Sequence, residues 1–290
     1  MSAETNVIKK ADMAKVRELD FAQLFGENIR GLVKMLGVTR LIPAQAGTVL
    51  KKLTVTGTLQ TNSVAEGDVI PLSNYKTAYE AVGELTLDKF RKATTAEAIL
   101  KGGFDQAVNK TNAKMILDIQ KQIRAGLIGS LADGSATAEG TGLQAALANA
   151  WGVLQVAFED DAIQSVYFIN PMDVSDYLGQ AQITIQNEFG LSYIENFLGM
   201  GTAILTSQVT QGTFYATAAE NIVAYYVDVN GADGLGEGFE FTTDPDTGFV
   251  GVHEEPNYSR MQSETVAIAG VDFFAEMPAG VVVGTINSGE

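Results

Sequence analysis

Cysteine is absent from the 290 residues, which excludes disulfides, zinc–thiolate sites and cysteine nucleophiles. Histidine occurs once, as His253, so a multi-histidine metal site is excluded and any histidine-dependent triad has a single candidate. No apolar run approaches the roughly 18 residues that a membrane span needs. The opening MSAETNVIKK lacks the apolar stretch of a secretory signal, so the expected place of synthesis is a cytoplasm-like compartment. Self-similarity at a period of about 20–50 residues is also missing, which argues against a solenoid or propeller. Basic residues are nearly absent from the second half of the chain.

That last scarcity organises the charge. The net charge is −16, but residues 1–130 carry 18 Lys and Arg against 13 Asp and Glu, whereas residues 131–290 carry only Arg260 against 22 acidic residues. Two readings fit: basic halves of some copies facing acidic halves of others, or neutralisation within one chain plus a solvated acidic face. A dedicated nucleic-acid binder is disfavoured, because phosphate contacts need a concentrated basic surface. With 46% hydrophobic and 19% charged residues over this length, the chain reads as globular, with about two compact units.

Residues 1–46 begin polar and become apolar, and Gly26, Gly31 and Gly37 interrupt the helical spacing at one-turn intervals. Each interior glycine costs about 1 kcal/mol of helix stability, so an arm of short helical pieces is expected. Residues 48–60 and 75–92 are rich in Thr and Val or alternate in polarity, around a turn-rich segment with Gly67 and Pro71. They read as a long hairpin, either two ordinary sheet strands or, the preferred reading, a projection that lies on a neighbouring molecule. Thr94-Thr-Ala-Glu97 matches a capping box with Thr94 as N-cap. A long helix is expected over 104–131, with Phe104, Val108, Thr111, Met115, Ile119, Ile123, Leu127 and Leu131 along one stripe. The segment DGSATAEGTG reads as a linker, and Leu143, Leu147, Trp151, Leu154 and Phe158 mark a further helix. A strand at 165–169 meets Asn170-Pro171, an N-cap followed by proline at the first helical position, which starts a helix over 171–178. Strands are expected at 201–206, 213–217, 222–228, 239–243, 249–253, 264–274 and 281–286, with a turn at Asp246-Thr-Gly248. Helices and strands mix without a βαβ rhythm, so the class is α+β.

Chemistry-bearing motifs are weak. Asp244-Pro-Asp246 through Glu255 places acids at calcium-loop positions 1, 3 and 12, but Gly248 and Phe249 stand where a ligand and the turn glycine are needed, so a plain β-turn is expected. There is no G-x-S-x-G elbow and no P-loop. The glycines of GADGLGEG (231–238) sit among carboxylates that would repel phosphate. Glu159-Asp160-Asp161 follow a helix end, a place that suits a solvated edge better than an acid/base pair. His253 lies beside Glu254 and Glu255 and reads as a surface or interface residue. No cofactor and no metal are expected, and the chain does not read as an enzyme; a hydrolase built on His253 is the rival of a different class.

The order of these parts resembles the major capsid (head) protein of tailed bacteriophages, the Hong Kong 97-type fold. The resemblance is carried by the arm (1–46), the extended hairpin loop (47–93), the spine helix within a peripheral domain (94–135 and 238–290) and the axial domain (136–237). SVYFINPMDVSDYL is similar to the family's strand–Asn–Pro–helix element, GMGTAILTSQVTQGTFYATAAENIVAYYVD to its hairpin near the capsomer axis, and ETVAIAGVDFFAEMPAGVVVGTI to its closing strands. It implies an α+β capsid subunit that self-assembles as hexamers and pentamers into an icosahedral head shell around double-stranded DNA. It also implies a virion location after synthesis in the bacterial host cytoplasm. An acidic half suits that role, since a strongly basic wall would hold the packaged polymer too tightly.

The implied partners are further copies of the chain, a portal protein, decoration proteins and a separate scaffolding protein, the last because only about 46 residues precede the hairpin. No membrane partner is implied. The positive surface of the hairpin is assigned to Lys51, Lys52, Lys76, Lys89, Arg91 and Lys92, and acceptors on a neighbour to Asp244, Asp246, Glu254 and Glu255. Some members crosslink a hairpin lysine to a neighbour's asparagine; Lys51, Lys52 and Lys76 with Asn257 and Asn287 are available, and no motif selects a pair. An encapsulin-like nanocompartment enclosing cargo enzymes is the alternative within the same fold.

Overall fold

The computed structural model describes residues 10–38, 40–60, 64–65, 67, 69–159, 163–179, 184–188, 191–229, 238–243 and 248–287. In chain order the elements are α1 (Lys10–Leu36), β1 (Leu41–Pro43), β2 (Val49–Thr58), β3 (Asn74–Glu84), β4 (Asp88–Thr95), α2 (Ala96–Gly102) and a π-turn (Asp105–Asn109) leading into α3 (Lys110–Ala132). Then come β5 (Ala136–Thr141), α4 (Leu143–Ala157), β6 (Ser165–Ile169), α5 (Pro171–Leu178), β7 (Gln186–Glu188), β8 (Leu191–Phe197), β9 (Gly201–Leu205) and β10 (Thr213–Ala218). The chain closes with β11 (Ile222–Tyr226), β12 (Thr242–Thr243), β13 (Val250–Asn257), β14 (Gln262–Ala269), β15 (Val271–Ala275) and β16 (Val281–Asn287). Among the described residues the strands form four sheets: β5-β16-β10-β6-β9-β8-β7, β12-β13-β14-β4, β1-β11-β15, and the pair β2-β3.

The α+β class holds, and the long helix, the Asn170-Pro171 helix start and most of the late strands stand where expected. Asn170 accepts the Met172 N–H at 2.9 Å, and Pro171 occupies the first turn. α1 corrects the expectation of a broken arm: it runs unbroken through Gly26 and Gly31. Phe21, Phe25, Ile29, Leu32 and Leu36 recur every three or four residues and are all buried in the main core. Burying each large side chain is worth about 1.5–3 kcal/mol, which outweighs two glycines at about 1 kcal/mol each. Gly37 is the true stop. Its φ is +68°, its N–H donates to the Lys34 carbonyl, and the Val38 N–H donates to the Val33 carbonyl, a Schellman end.

Other expectations are corrected by register. The N-cap of α2 is Thr95, whose hydroxyl accepts the Ala98 N–H; Thr94 is a buried strand residue that donates to the Ala107 carbonyl. The hairpin ends at Glu84, because β4 pairs with β14 as an edge of the four-stranded sheet. The segment read as a linker is β5, parallel to β16. The strand expected over 264–274 divides at Gly270, where an added Cβ would lie 2.9 Å from Val227, into β14 and β15 of different sheets. The closing strand β16, assigned with 238–290 to the peripheral domain, lies in the seven-stranded sheet with β5, β6 and β10. The expected turn at 246–248 is described only at Gly248, and 231–237, Asp160 and Asp161 lie outside the described residues.

The seven-stranded sheet separates two cores. Val166, Phe168, Ile204 and Val281 face the one that holds α1 and α3. Tyr167, Ile169, Ala203, Leu205, Phe214 and Val282 face the one that holds α4 and α5. Phe214 lies over Gly284, its cross-strand partner, where a Cβ would come within 2.1 Å of the ring.

Because α1 belongs to the core, Leu32→Ala should lower the unfolding free energy by about 2–5 kcal/mol. Leu24→Ala, on the exposed side of the same helix, should stay within about 0.5 kcal/mol. Urea unfolding of the two variants checks this; equal, small effects would mean that α1 does not pack as described.

Candidate assembly surface

Among the described residues the β2–β3 hairpin is anchored at its base. Leu50 and Leu85 are buried there with Val227 and Phe274, and the Leu85 N–H donates to the Thr48 carbonyl at 2.9 Å. A register shift between Leu50 and Lys51 marks the exit from that base. Beyond it the two strands pair with each other and with no other described strand. The eight residues of β2 beyond that point, at about 3.3 Å each, carry the ribbon roughly 26 Å outward. Lys51, Tyr75, Lys76, Tyr79 and Glu80 are exposed along it. Tyr75 closes over Gly57, its cross-strand partner, where a Cβ would lie 2.2 Å from the ring. At the tip Leu59, Val69, Ile70 and Leu72 stand in solvent, Val69 and Leu72 at 91% and 92% exposure. An isolated two-stranded ribbon is marginal in water, and clustered exposed apolar side chains mark a contact surface.

Val49 is exposed and Leu87 packs into the base cluster; the side chains of Leu53 and Val55 lie outside the described residues. α2 adds a second exposed element. None of its residues is buried, and Leu100 stands fully in solvent.

The charged residues assigned from the sequence divide into two groups. Lys51 and Lys76 stand exposed on the hairpin, while the side chain of Lys52 and all of Asp244 and Asp246 lie outside the described residues. Lys89, Arg91 and Lys92 belong to β4 rather than to the hairpin. Lys89 is exposed, as is Glu255, which lies 3.7 Å from His253 Nε2. Arg91 is engaged within the subunit: its Nε and Nη2 donate to Glu264 Oε2 at 3.0 and 2.6 Å, and Asn257 Nδ2 donates to Glu264 Oε1. These bonds hold the Glu264 carboxyl below its usual range.

Lys92 and Glu254 correct the assignment more fully. Lys92 Nζ donates to the Val108 carbonyl at 3.1 Å, to Thr111 Oγ1 at 2.6 Å and to Asn112 Oδ1. Burial pushes the Lys92 ammonium down from its usual pKa, while the charge of Glu254 opposes that shift. Glu254 is buried and accepts from Asn112 Nδ2 at 2.7 Å and from Thr265 Oγ1 at 3.2 Å. Glu254 is thus enclosed, and the half-buried Lys92 is engaged within its own subunit.

Sequence reading missed Asn112 and Glu18. Asn112 sits between Val108 and Ile116 on the buried stripe of α3, and a polar residue on such a stripe was the available signal. Glu18, buried on α1, accepts the Glu254 N–H and the Thr242 hydroxyl. His253 Nδ1 lies 3.9 Å from the same Glu18, with the Phe241 ring edge-on to the imidazole. Among the described residues no group of three or more His, Asp or Glu could hold a metal ion, and no helix is long and apolar enough to cross a membrane.

Two expected outcomes follow from these charges. Exposed pairs contribute about 0–1 kcal/mol each, and the Debye length falls from about 10 Å at 0.1 M salt to about 3 Å at 1 M. If the hairpin docks through Lys51 and Lys76, Lys51→Glu with Lys76→Glu should block association, and sodium chloride should weaken it, with the circular dichroism unchanged. Light scattering reads both. Separately, the Arg91–Glu264 pair contributes stability above the ordinary glutamate pKa, and that contribution is lost as pH falls through the lowered one. A carboxyl NMR titration should show Glu264 moving up in Arg91→Ala.

No protein-family model matches the chain, and no curated protein matches it by sequence. Solved structures do. A structure of Gordonia phage Cozz shares 11% identity with a TM-score of 0.57, over 89% of this chain and 87% of that one. The capsid asymmetric unit of cyanophage A-1(L) shares 11% identity with a TM-score of 0.55, over 89% and 93%. The holo-SrpI encapsulin complex from Synechococcus elongatus PCC 7942 shares 8% identity with a TM-score of 0.50, over 89% and 90%. The arm helix, projecting hairpin, long α3 and two-core body thus form a Hong Kong 97-like capsid fold.

Proposed function

We propose that this chain is a structural, non-enzymatic subunit that self-assembles as hexamers and pentamers into the icosahedral head shell enclosing phage double-stranded DNA. The observation that carries the reading is the β2–β3 ribbon. It is anchored at one end, pairs with no other described strand, and ends in exposed Leu59, Val69, Ile70 and Leu72. Such an element gains stability only against another surface, and in a capsid fold that surface is a further copy. Contacts that repeat and close generate a shell. Apolar tip residues contribute burial at about 25 cal/mol per Å², and Lys51 and Lys76 contribute orientation. The acidic second half limits adhesion to an enclosed polyanion.

The encapsulin-like compartment is the second reading, favoured by the encapsulin among the similar structures. Both readings make a shell, and contents separate them. Electron microscopy of the expressed protein, alone and with a candidate scaffolding protein, should show closed particles or capsomers. Sedimentation showing only monomer at high concentration under both conditions would overturn both readings. Nuclease-protected DNA inside particles from the native source supports the head shell, and a co-purifying enzyme cargo supports the compartment.

A further inference from the structure

Three adjacent strands place Lys92, Thr265 and Glu254 directly opposite one another, Lys92 on β4 paired with Thr265 on β14, and Thr265 paired with Glu254 on β13. Directly paired residues point to the same face of a sheet, so the three side chains form one row. Asn112 of α3 lies over that row. Its Oδ1 accepts from Lys92 Nζ and lies 3.4 Å from Thr265 Oγ1, and its Nδ2 donates to Glu254 Oε1 at 2.7 Å. Asn112, Thr265 and Glu254 are all buried. In this cluster a carboxamide touches an amine on one side and a carboxyl group on the other.

We propose that Lys92 and Asn112 become joined by an isopeptide bond within the chain, formed in the folded subunit with Glu254 as the proton relay. The neutral Lys92 amine adds to Cγ of Asn112, forming the C–N bond while the carbonyl electron pair moves onto Oδ1. The Thr265 hydroxyl is placed to donate to that oxygen as negative charge develops. Glu254 takes the proton lost by the attacking nitrogen and delivers it to Nδ2. The Cγ–Nδ2 bond then breaks, the carbonyl re-forms, and the products are the Lys92–Asn112 amide and one ammonia. Nothing is oxidised or reduced, and no co-reactant is needed.

Amines and primary amides do not couple usefully in dilute water, but fixed geometry supplies effective molarities of about 10⁵–10⁸ M. The strand register and the helix hold that geometry. Burial of the Lys92 ammonium leaves more neutral amine than an exposed lysine would have. The bond lies inside one subunit and uses none of Lys51, Lys52 or Lys76, so it is distinct from any link between neighbours. It would close a ring of chain around α2 and the π-turn.

The same contacts without the bond form an ordinary hydrogen-bonded cluster, and the two states differ by one ammonia. Intact mass spectrometry of the purified full chain should show the loss of one ammonia. Trypsin should then release a branched peptide joining Lys92–Lys101 to Thr111–Lys114, with no cleavage after Lys92. Lys92→Arg and Glu254→Gln should keep the full mass while retaining the wild-type circular dichroism. A wild-type chain of full mass after prolonged incubation, both in assembled particles and as free subunits, overturns the proposal. So does an ammonia loss without the branched peptide, which would report a succinimide at Asn112. Complete bond formation in folded Glu254→Gln would overturn the relay role of Glu254.

Discussion

Alternate side chains of β6 enter different cores. Val166 and Phe168 face α1 and α3, Tyr167 and Ile169 face α4 and α5, and all five residues of the strand are buried. A strand has a period of two, so committing both faces to apolar packing requires a continuous apolar run, which SVYFI supplies. The neighbours β9, β10 and β16 follow the same division. The sheet is therefore a shared wall, and a one-residue slip of β6 would exchange the contents of two cores at once. The β2–β3 ribbon lies outside this wall, and the chain at its tip leaves Leu59, Val69, Ile70 and Leu72 exposed.

Local signals that involve few residues were legible in the sequence. The Ile119, Ile123, Leu127 and Leu131 part of the α3 stripe, the Asn170-Pro171 helix start and the run of β6 could each be read from a short window, whereas Phe104 and Thr111, expected on the same stripe, are exposed. Signals that depend on tertiary context were not. Gly26 and Gly31 argued for a broken arm, and only the burial of Phe21, Phe25, Ile29, Leu32 and Leu36 against distant strands reverses that balance. β5 has the composition of a linker and is a strand because β16, some 140 residues later, offers it an edge. Among the candidate contact residues, type and exposure agreed for Lys51, Lys76, Lys89 and Glu255. Lys92 and Glu254 were misassigned because a charge in a sequence carries no sign of whether Asn112 and Thr265 will enclose it.

The ribbon and the body follow opposite rules of stability. In the body, Phe214 over Gly284 and Tyr167 within the wall leave no slack, and large-to-small changes should be costly throughout. In the ribbon, Tyr75 over Gly57 is a local device that stiffens two strands without a core beneath them. A rigid body with a locally stiffened extension keeps the angle of the extension defined before any partner is present, which lowers the ordering cost of docking.

The carboxylate of Glu18 also finishes a strand edge. β12 pairs with β13 only as far as Val252, so the Glu254 N–H would lie beyond the end of that partner. The Glu18 side chain, arriving from α1, takes the place of the missing strand. Unpaired strand edges recruit other chains. α1 therefore completes a strand edge as well as filling a core, and a chain whose α1 came loose would leave the Glu254 N–H without that acceptor.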